Sequence, residues 1–440
     1  MTSETTAHRL TKAGLFAWLG LLFLQPFNHF GALRLICMGL LLPVLIWVLV
    51  TRNALQRFRW NPALLVAGAI AGWAVVVSAF GPYPAESLTA LRKDFLVQVL
   101  MLLAALVYVR TPDDAWKAVS AALAGFAVVS LLSVGEVGAY WKANGFTLFV
   151  PRTHASHWGG YASAASLYLP LLLGWLLVVP KHRFVAAAGW GLLLLGTGLM
   201  LLYGSRTPIP VIAVAVAVLF LFLRRWRALA ATAVVIVLAA GMLQMTSNSL
   251  SARYQTLLNS DTYVTNTGLS QRFSVWEGAR EVVAERPWTG YGFGWKKLAW
   301  VINEQGFAAR WEAEKPDVAA YYLENGQAIY GRVNPHNYAL QVLFEIGVVG
   351  LVLALAFWIL IFRNGIGLLR RHSGTPAAAL AAVLLTTLCA YVLANITNGQ
   401  WIGGLANLSL ACAGCLLALW PQEAATAPSI NSAAGPRLQD

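Results

Sequence analysis

Charge is scarce in this chain: of 440 residues only 11% are Asp, Glu, Lys or Arg, against 58% hydrophobic. A soluble domain carries about a quarter charged residues, so composition alone excludes an ordinary water-soluble fold. Cysteine is also scarce. All four, Cys37, Cys389, Cys412 and Cys415, fall in apolar runs. The C-x-x-C pair at 412 and 415 has neither the polar setting nor the partner pair that a zinc or redox site needs, so these residues read as small side chains at helix interfaces. No A-x-A cleavage site follows the first apolar stretch, which therefore reads as a retained span. No internal repeat and no matched halves are evident, and Glu345 is nearly alone as an acid within an apolar run. Both absences weigh against an ion-coupled carrier.

Long apolar runs are what the chain has in abundance. Windows of about 20 residues place spans near 13–30, 33–50, 62–80, 95–109, 115–134, 159–179, 184–203, 207–223, 228–245, 338–362, 376–398 and 402–420. The expectation is an all-α polytopic membrane protein of about twelve transmembrane helices. Residues 1–245 would carry nine of them, 246–337 one long polar loop and 338–420 the last three, with 421–440, rich in Ala, Pro and Ser, as a disordered tail. With both termini cytoplasmic, the inner segments carry sixteen Lys and Arg and the short outer loops only Arg34, Arg92, Lys93, Lys142, Arg152 and Arg206. That asymmetry places the long loop outside. The formal net charge of +13 is then a topology signal with a cationic outer face, and a nucleic-acid partner is not supported.

The long loop is a polar island: it holds nine of the eighteen acidic residues and nine of the thirty-one basic ones. Three constellations gather at its edges. The first, Tyr203-Gly204-Ser205-Arg206-Thr207-Pro208, is a tight turn that pins an arginine at the membrane surface. It reads either as a snorkelling side chain or as a site for an anionic ligand. In the second, Arg272, Trp276 and Arg280 recur at four-residue spacing and would share a helix face, although Arg280 can equally pair with Glu277 or Glu281. The run Arg286-Pro287-Trp288-Thr289-Gly290-Tyr291-Gly292-Phe293-Gly294 then forces a stop and a turn, and with no preceding strand its glycines are not a dinucleotide loop. The third is Asn334-Pro335-His336-Asn337-Tyr338, leading into Gln341, Glu345, Gly347 and Gly350. His336 is the one histidine of the loop, and histidine is the side chain suited to moving a proton near neutral pH.

This ordered set, S-R-T after a span, R-x3-W-x3-R with R-P-W-x-G-x-G, then P-H-N-Y with its Glu and Gly followers, resembles the O-antigen ligase and polymerase superfamily of bacterial envelope glycosyltransferases. The likeness runs from about Leu199 to Phe362. It implies a GT-C-like membrane bundle capped by one large periplasmic loop, in the bacterial inner membrane. It also implies transfer of a sugar chain from an undecaprenyl diphosphate carrier. Chain length and the single loop look most like the ligase branch, whose acceptor is the lipid A core. A polymerase or a protein O-oligosaccharyltransferase of the same superfamily would use the same residues, and a lipid or glycan transporter would need no base.

The residues suit that chemistry. Guanidinium forks match phosphate oxygens and stay charged, so Arg206 and Arg272 are expected on the diphosphate. His336 is expected on the acceptor hydroxyl, with cationic neighbours keeping it neutral. Ser205, Arg280, Asn337, Tyr338 and, more weakly, Arg152 are expected to contact substrate. His154 and His157 lie at another outer span entrance. Attack opposite the leaving group implies inversion. No cofactor is expected, and with arginines on the diphosphate no metal is required, since the outer loops show no paired Asp/Asp or His/Glu of ligand type. Glu86, Asp94 and Glu136 read as ion-paired or solvated. Trp288, Trp295, Trp300 and Trp311 read as interface anchors ahead of sugar platforms.

Overall fold

The computed structural model describes residues 2–27, 30–51, 61–150, 160–245, 252, 254–255, 270–328, 333–399, 401 and 403–424. Arg152, His154, His157, most of 246–269 and the tail beyond 424 lie outside the described residues. Among those described, regular structure is entirely helical. In chain order the helices are α1 (Thr2–Leu24), α2 (Gly31–Thr51), α3 (Pro62–Ala79), α4 (Pro84–Ala90), a π-helical turn (Leu91–Phe95), α5 (Leu96–Tyr108), α6 (Pro112–Asn144), α7 (Tyr161–Val178), α8 (Arg183–Leu202), α9 (Pro208–Phe222) and α10 (Trp226–Met245). There follow α11 (Ser270–Glu285), a 3₁₀ turn (Trp295–Lys297), α12 (Leu298–Glu304), α13 (Phe307–Glu314), α14 (Pro316–Ala328), α15 (Tyr338–Arg371), α16 (Pro376–Asn395) and α17 (Gly404–Ala424).

Each of the twelve apolar runs is built as helix. Seven, α2, α3, α6, α7, α8, α15 and α16, are individually long and apolar enough to cross a bilayer, and the stretches 208–222, 226–238 and 404–420 are shorter apolar helices. In hydrocarbon every backbone N–H must find its partner within the segment, which leaves the helix as the structure such runs can form. Burial is inverted relative to a soluble protein. Phe16, Leu35, Val50, Leu194, Val237 and Ile359 are exposed, while Ser130, Ser133, Thr386, Thr387, Asn395 and Asn407 are inside. The chain is a multi-pass membrane protein.

Helix α16 is the hub, packed against α7, α9, α15 and α17. Helix α17 runs along α5, and α1 along α2 and α6. Polar clasps tie the helices together: Asn407 Nδ2 donates to Gln25 Oε1 at 2.9 Å, and the Ser130 and Tyr161 hydroxyls lie 2.8 Å apart. Cys412 and Cys415 are buried free thiols on α17, as helix-interface residues should be.

Helices α11 to α14 build a second, smaller core. Val275, Val282, Leu298, Ile302, Phe307, Trp311, Val318 and Tyr322 pack together, and Tyr291 and Phe344 extend this core down onto α15. One ion cluster stitches its rim. Glu281 accepts from Arg310 at 3.1 Å, from Trp311 Nε1 at 2.8 Å and from Lys315, and Lys315 also reaches Glu277 at 2.5 Å.

Candidate functional site

The site is built on a break in α15. At Gly347 the backbone leaves helical geometry (φ 68°, ψ −171°), in a region open to glycine alone. The segment Pro287–Gly294 occupies that break. Val348 N–H donates to Pro287 O at 2.7 Å, Tyr291 N–H donates to Phe344 O at 2.8 Å, and the Ile346 carbonyl accepts from Trp73 Nε1 on α3 at 2.8 Å. Backbone groups freed by the kink are thus satisfied by the loop and by a neighbouring helix. A β-carbon at Gly347 would lie 2.1 Å from Trp288 O, and one at Gly290 (φ 65°) would lie 2.6 Å from Phe344 O. The glycines of R-P-W-x-G-x-G let two backbones touch.

Glu345, fully buried two residues ahead, locks this junction. It accepts from Gly294 N–H at 2.8 Å, Gln341 Nε2 at 2.9 Å and Trp401 Nε1 at 3.2 Å. Lys297 supplies the nearby positive charge and donates to Ser87 Oγ at 2.8 Å and to Phe293 O at 2.6 Å. Burial pulls the Lys297 ammonium down from the ordinary lysine value, and Glu345 and Glu86 partly offset it.

The P-H-N turn stands on this platform. His336 takes a left-handed backbone (φ 50°), with its N–H donating to Asn334 Oδ1 at 2.6 Å. Asn337 caps α15 by accepting from Leu340 N–H at 3.1 Å, and its Nδ2 donates to Ile396 O at 3.2 Å. Asn334 Nδ2 donates to Gly399 O at 3.5 Å. The two asparagines therefore tether the turn to the chain leaving α16, with the half-buried His336 between them in sequence. Both ends of the Asn337 amide are committed to backbone, a positioning arrangement that its sequence context did not reveal. The Tyr338 hydroxyl accepts from Trp358 Nε1 at 3.1 Å, and its ring meets Trp401 edge-on.

The S-R-T turn lies at the same end of the bundle. Gly204 (φ 62°) turns the chain out of α8, leaving Ser205 buried and Arg206 half-buried at the entrance to α9. Tyr203 packs on Tyr161 at the start of α7, ring centroids 5.7 Å apart. A cleft of about 820 Å³ opens there, lined by Gln25, Ser163, Tyr168, Trp295, Asn334 and Gly399 among others. It thus joins the α7 entrance beside the S-R-T turn to the foot of the P-H-N turn. Arg272, half-buried on α11, faces Tyr321 of α14 electrostatically. Arg280 is exposed, and its expected partners Glu277 and Glu281 are held instead by Lys315 and Arg310.

A second, narrow apolar cavity opens inside the bundle between α3, α5, α15, α16 and α17, lined by Tyr338 and Trp401. Among the described residues no group of three or more His, Cys, Asp or Glu is placed to hold a metal ion. The four tryptophans separate: Trp311 is buried in the small core, Trp288 is exposed, and Trp295 and Trp300 line clefts.

The family model described as O-antigen ligase matches residues 190–355, from α8 through the S-R-T turn, the glycine loop and the P-H-N turn to just past the α15 break. The chain is also similar to an O-antigen ligase of Pseudomonas aeruginosa, 24% identical over 414 residues that cover 91% of this chain and 86% of the relative.

Proposed function

We propose that this chain, similar over residues 190–355 to the O-antigen ligase family model, acts as a member of that family and transfers a polysaccharide from undecaprenyl diphosphate to the lipid A core, at the periplasmic face of the bacterial inner membrane with both termini cytoplasmic. The observation that carries this reading is the tethered P-H-N turn. The backbone around His336 is fixed by Asn334 and Asn337 beside a cleft that runs to the start of α7, where Tyr161 packs on Tyr203 just ahead of the S-R-T turn.

In the proposed step the acceptor hydroxyl attacks the anomeric carbon opposite the diphosphate. Its O–H proton passes to the neutral imidazole of His336, a new C–O bond forms, and the anomeric C–O bond to phosphorus breaks. The electron pair leaves with the diphosphate, and inversion follows. Arg206 and Arg272 take up the charge that accumulates on the leaving group, the role guanidinium forks fill well because they are planar and permanently charged. With arginines in this role no metal is required. Ser205 and the exposed Arg280 flank the diphosphate path, and Asn337 acts through the position it gives His336. Tyr338, lining the apolar cavity, sits where a lipid-linked substrate entering from the bilayer would pass.

The test is transfer by the purified protein in detergent with EDTA present, wild type against His336→Ala. Glycan on lipid A core that survives the chelator and disappears in the variant supports the reading. Longer glycan on the carrier, with none on the core, would assign the chain a polymerase activity.

A further inference from the structure

A second cleft, also of about 820 Å³, adjoins the one at the P-H-N turn at Trp295. Its walls are α4, the π-helical turn and the Trp295–Trp300 segment, with Glu86, Lys93, Asp94, Trp295, Lys296 and Trp300 around it. Trp295 lines both clefts. π-Helical turns are rare and collect at functional sites, and this one brings Lys93 and Asp94 to the cleft within three residues of the α5 start. Asp94 faces Lys93 and Lys296 electrostatically, and both lysines stand exposed at the rim. Trp295 and Trp300 are half-buried and line the cleft.

We propose that this cleft is the acceptor subsite, binding a pyranose that carries an anionic substituent; the proposal rests on the transferase reading above. The chemistry fits a sugar on three counts. Indoles present flat apolar surface to the C–H face of a pyranose. Carboxylates accept hydrogen bonds from ring hydroxyls. Lysine ammoniums at the rim meet a phosphate or carboxylate as point charges.

Position decides between donor and acceptor. The other cleft is lined by Gly160, Ser163 and Ala164 at the start of α7, where Tyr161 packs on Tyr203 just ahead of the S-R-T turn, so the diphosphate belongs there. The neighbouring cleft, which shares Trp295 with it, is then left for the acceptor. The helix that follows the π turn also serves both halves of such a substrate. Lys93 and Asp94 line this cleft, whereas Phe95, Gln98 and Leu102 line the apolar cavity inside the bundle. One continuous stretch thus offers a sugar site above a lipid site, which suits a glycolipid better than a free oligosaccharide.

The experiment is steady-state transfer in nanodiscs with core glycolipid acceptor, intact or phosphatase-treated, comparing wild type, a Lys93→Ala/Lys296→Ala double variant, Trp300→Ala and Trp300→Phe. The lysines are exposed, so their loss leaves the fold intact. The expected result is an acceptor KM raised about ten-fold in the double variant and in Trp300→Ala, with kcat and donor KM unchanged and Trp300→Phe close to wild type. Phosphatase treatment should raise the wild-type acceptor KM and leave that of the double variant where it was. A shift in donor KM, or an acceptor KM that stays put in active variants, overturns the subsite. Absence of any transfer by the wild type would instead bring down the transferase reading beneath it.

Discussion

Glu345 and Gly294 stand fifty-one residues apart in the chain, yet the Gly294 N–H donates to Glu345 Oε2 at 2.8 Å inside the protein. That bond joins the glycine loop to the broken helix beneath His336. Trp401 completes the joint from the entrance to α17 and is itself held by Gln98 of α5, whose Nε2 donates to Trp401 O at 2.7 Å. Three segments of the chain therefore share one buried carboxylate, and α5 braces the third.

Removing that carboxylate should be severe. Glu345→Ala leaves Gly294 N–H, Gln341 Nε2 and Trp401 Nε1 without their acceptor, and each buried donor left unsatisfied costs about 1–3 kcal/mol. Glu345→Gln keeps one acceptor oxygen and should fall between. Thermal unfolding in detergent should rank wild type, Gln and Ala in descending order, and an Ala variant as stable as wild type would contradict this account.

Gly347→Ala should damage the same joint by a different route. The new methyl meets Trp288 O at 2.1 Å and sits on a backbone that L residues avoid, so the loop must lift off the helix. Strained backbone of this kind costs about 1–3 kcal/mol before the steric clash is added. Native-state proteolysis should detect the loosened 287–294 segment as faster cleavage there, with transfer activity falling in parallel.

His336 and Asn337 should separate chemistry from position. Loss of a preorganised catalytic group costs on the order of 10²–10³ in kcat, the drop expected for Arg206→Lys; His336→Ala should reach at least that, with little change in KM. Asn337→Ala should lose about 1 kcal/mol of stability with its helix cap and lower kcat through a misplaced imidazole. Asn337→Ser retains a capping oxygen but not the donor to Ile396 O, so stability should return while kcat stays low. Paired melting and single-turnover measurements on these variants check the split.

Acid should loosen the small core before it reaches the membrane bundle. The Glu281 carboxyl is held below its ordinary value: partial burial pushes it up, but the Lys315 and Trp311 hydrogen bonds and the Lys315 and Arg310 charges outweigh that. A depressed carboxyl binds fewer protons folded than unfolded, so its stabilisation is fully present above about pH 4.5 and is lost as pH falls through the folded value. The pairs are partly exposed, so the effect should stay below about 1 kcal/mol. Melting temperature against pH from 3 to 7 should show a shallow step that Glu281→Gln flattens.

Much of this molecule was legible in one dimension, for reasons local to the chain. A bilayer leaves apolar runs of about twenty residues no structure but helix, so all twelve runs read from hydropathy are helices. The S-R-T and P-H-N motifs announce themselves by residue type, because arginine suits phosphate and histidine suits proton transfer. Spacing also put Arg272, Trp276 and Arg280 on one helix. It could not foresee that Lys315 and Arg310, from the other helices of the small core, would claim the carboxylates expected for Arg280.

What only the tertiary structure decided is which distant groups meet. Gly290 and Gly347 look like turn residues singly, and their shared purpose appears only when two backbones touch at the α15 break. Asn337 has the composition of a substrate contact, but its amide proves to be spent on a helix cap and on a carbonyl fifty-nine residues away. Trp288, Trp295, Trp300 and Trp311 are alike as letters and differ in burial, since exposure depends on what the neighbouring helices cover. Periodicity and residue chemistry act over a few positions and are written in the chain. Burial, pairing and cleft formation depend on separations that folding alone closes.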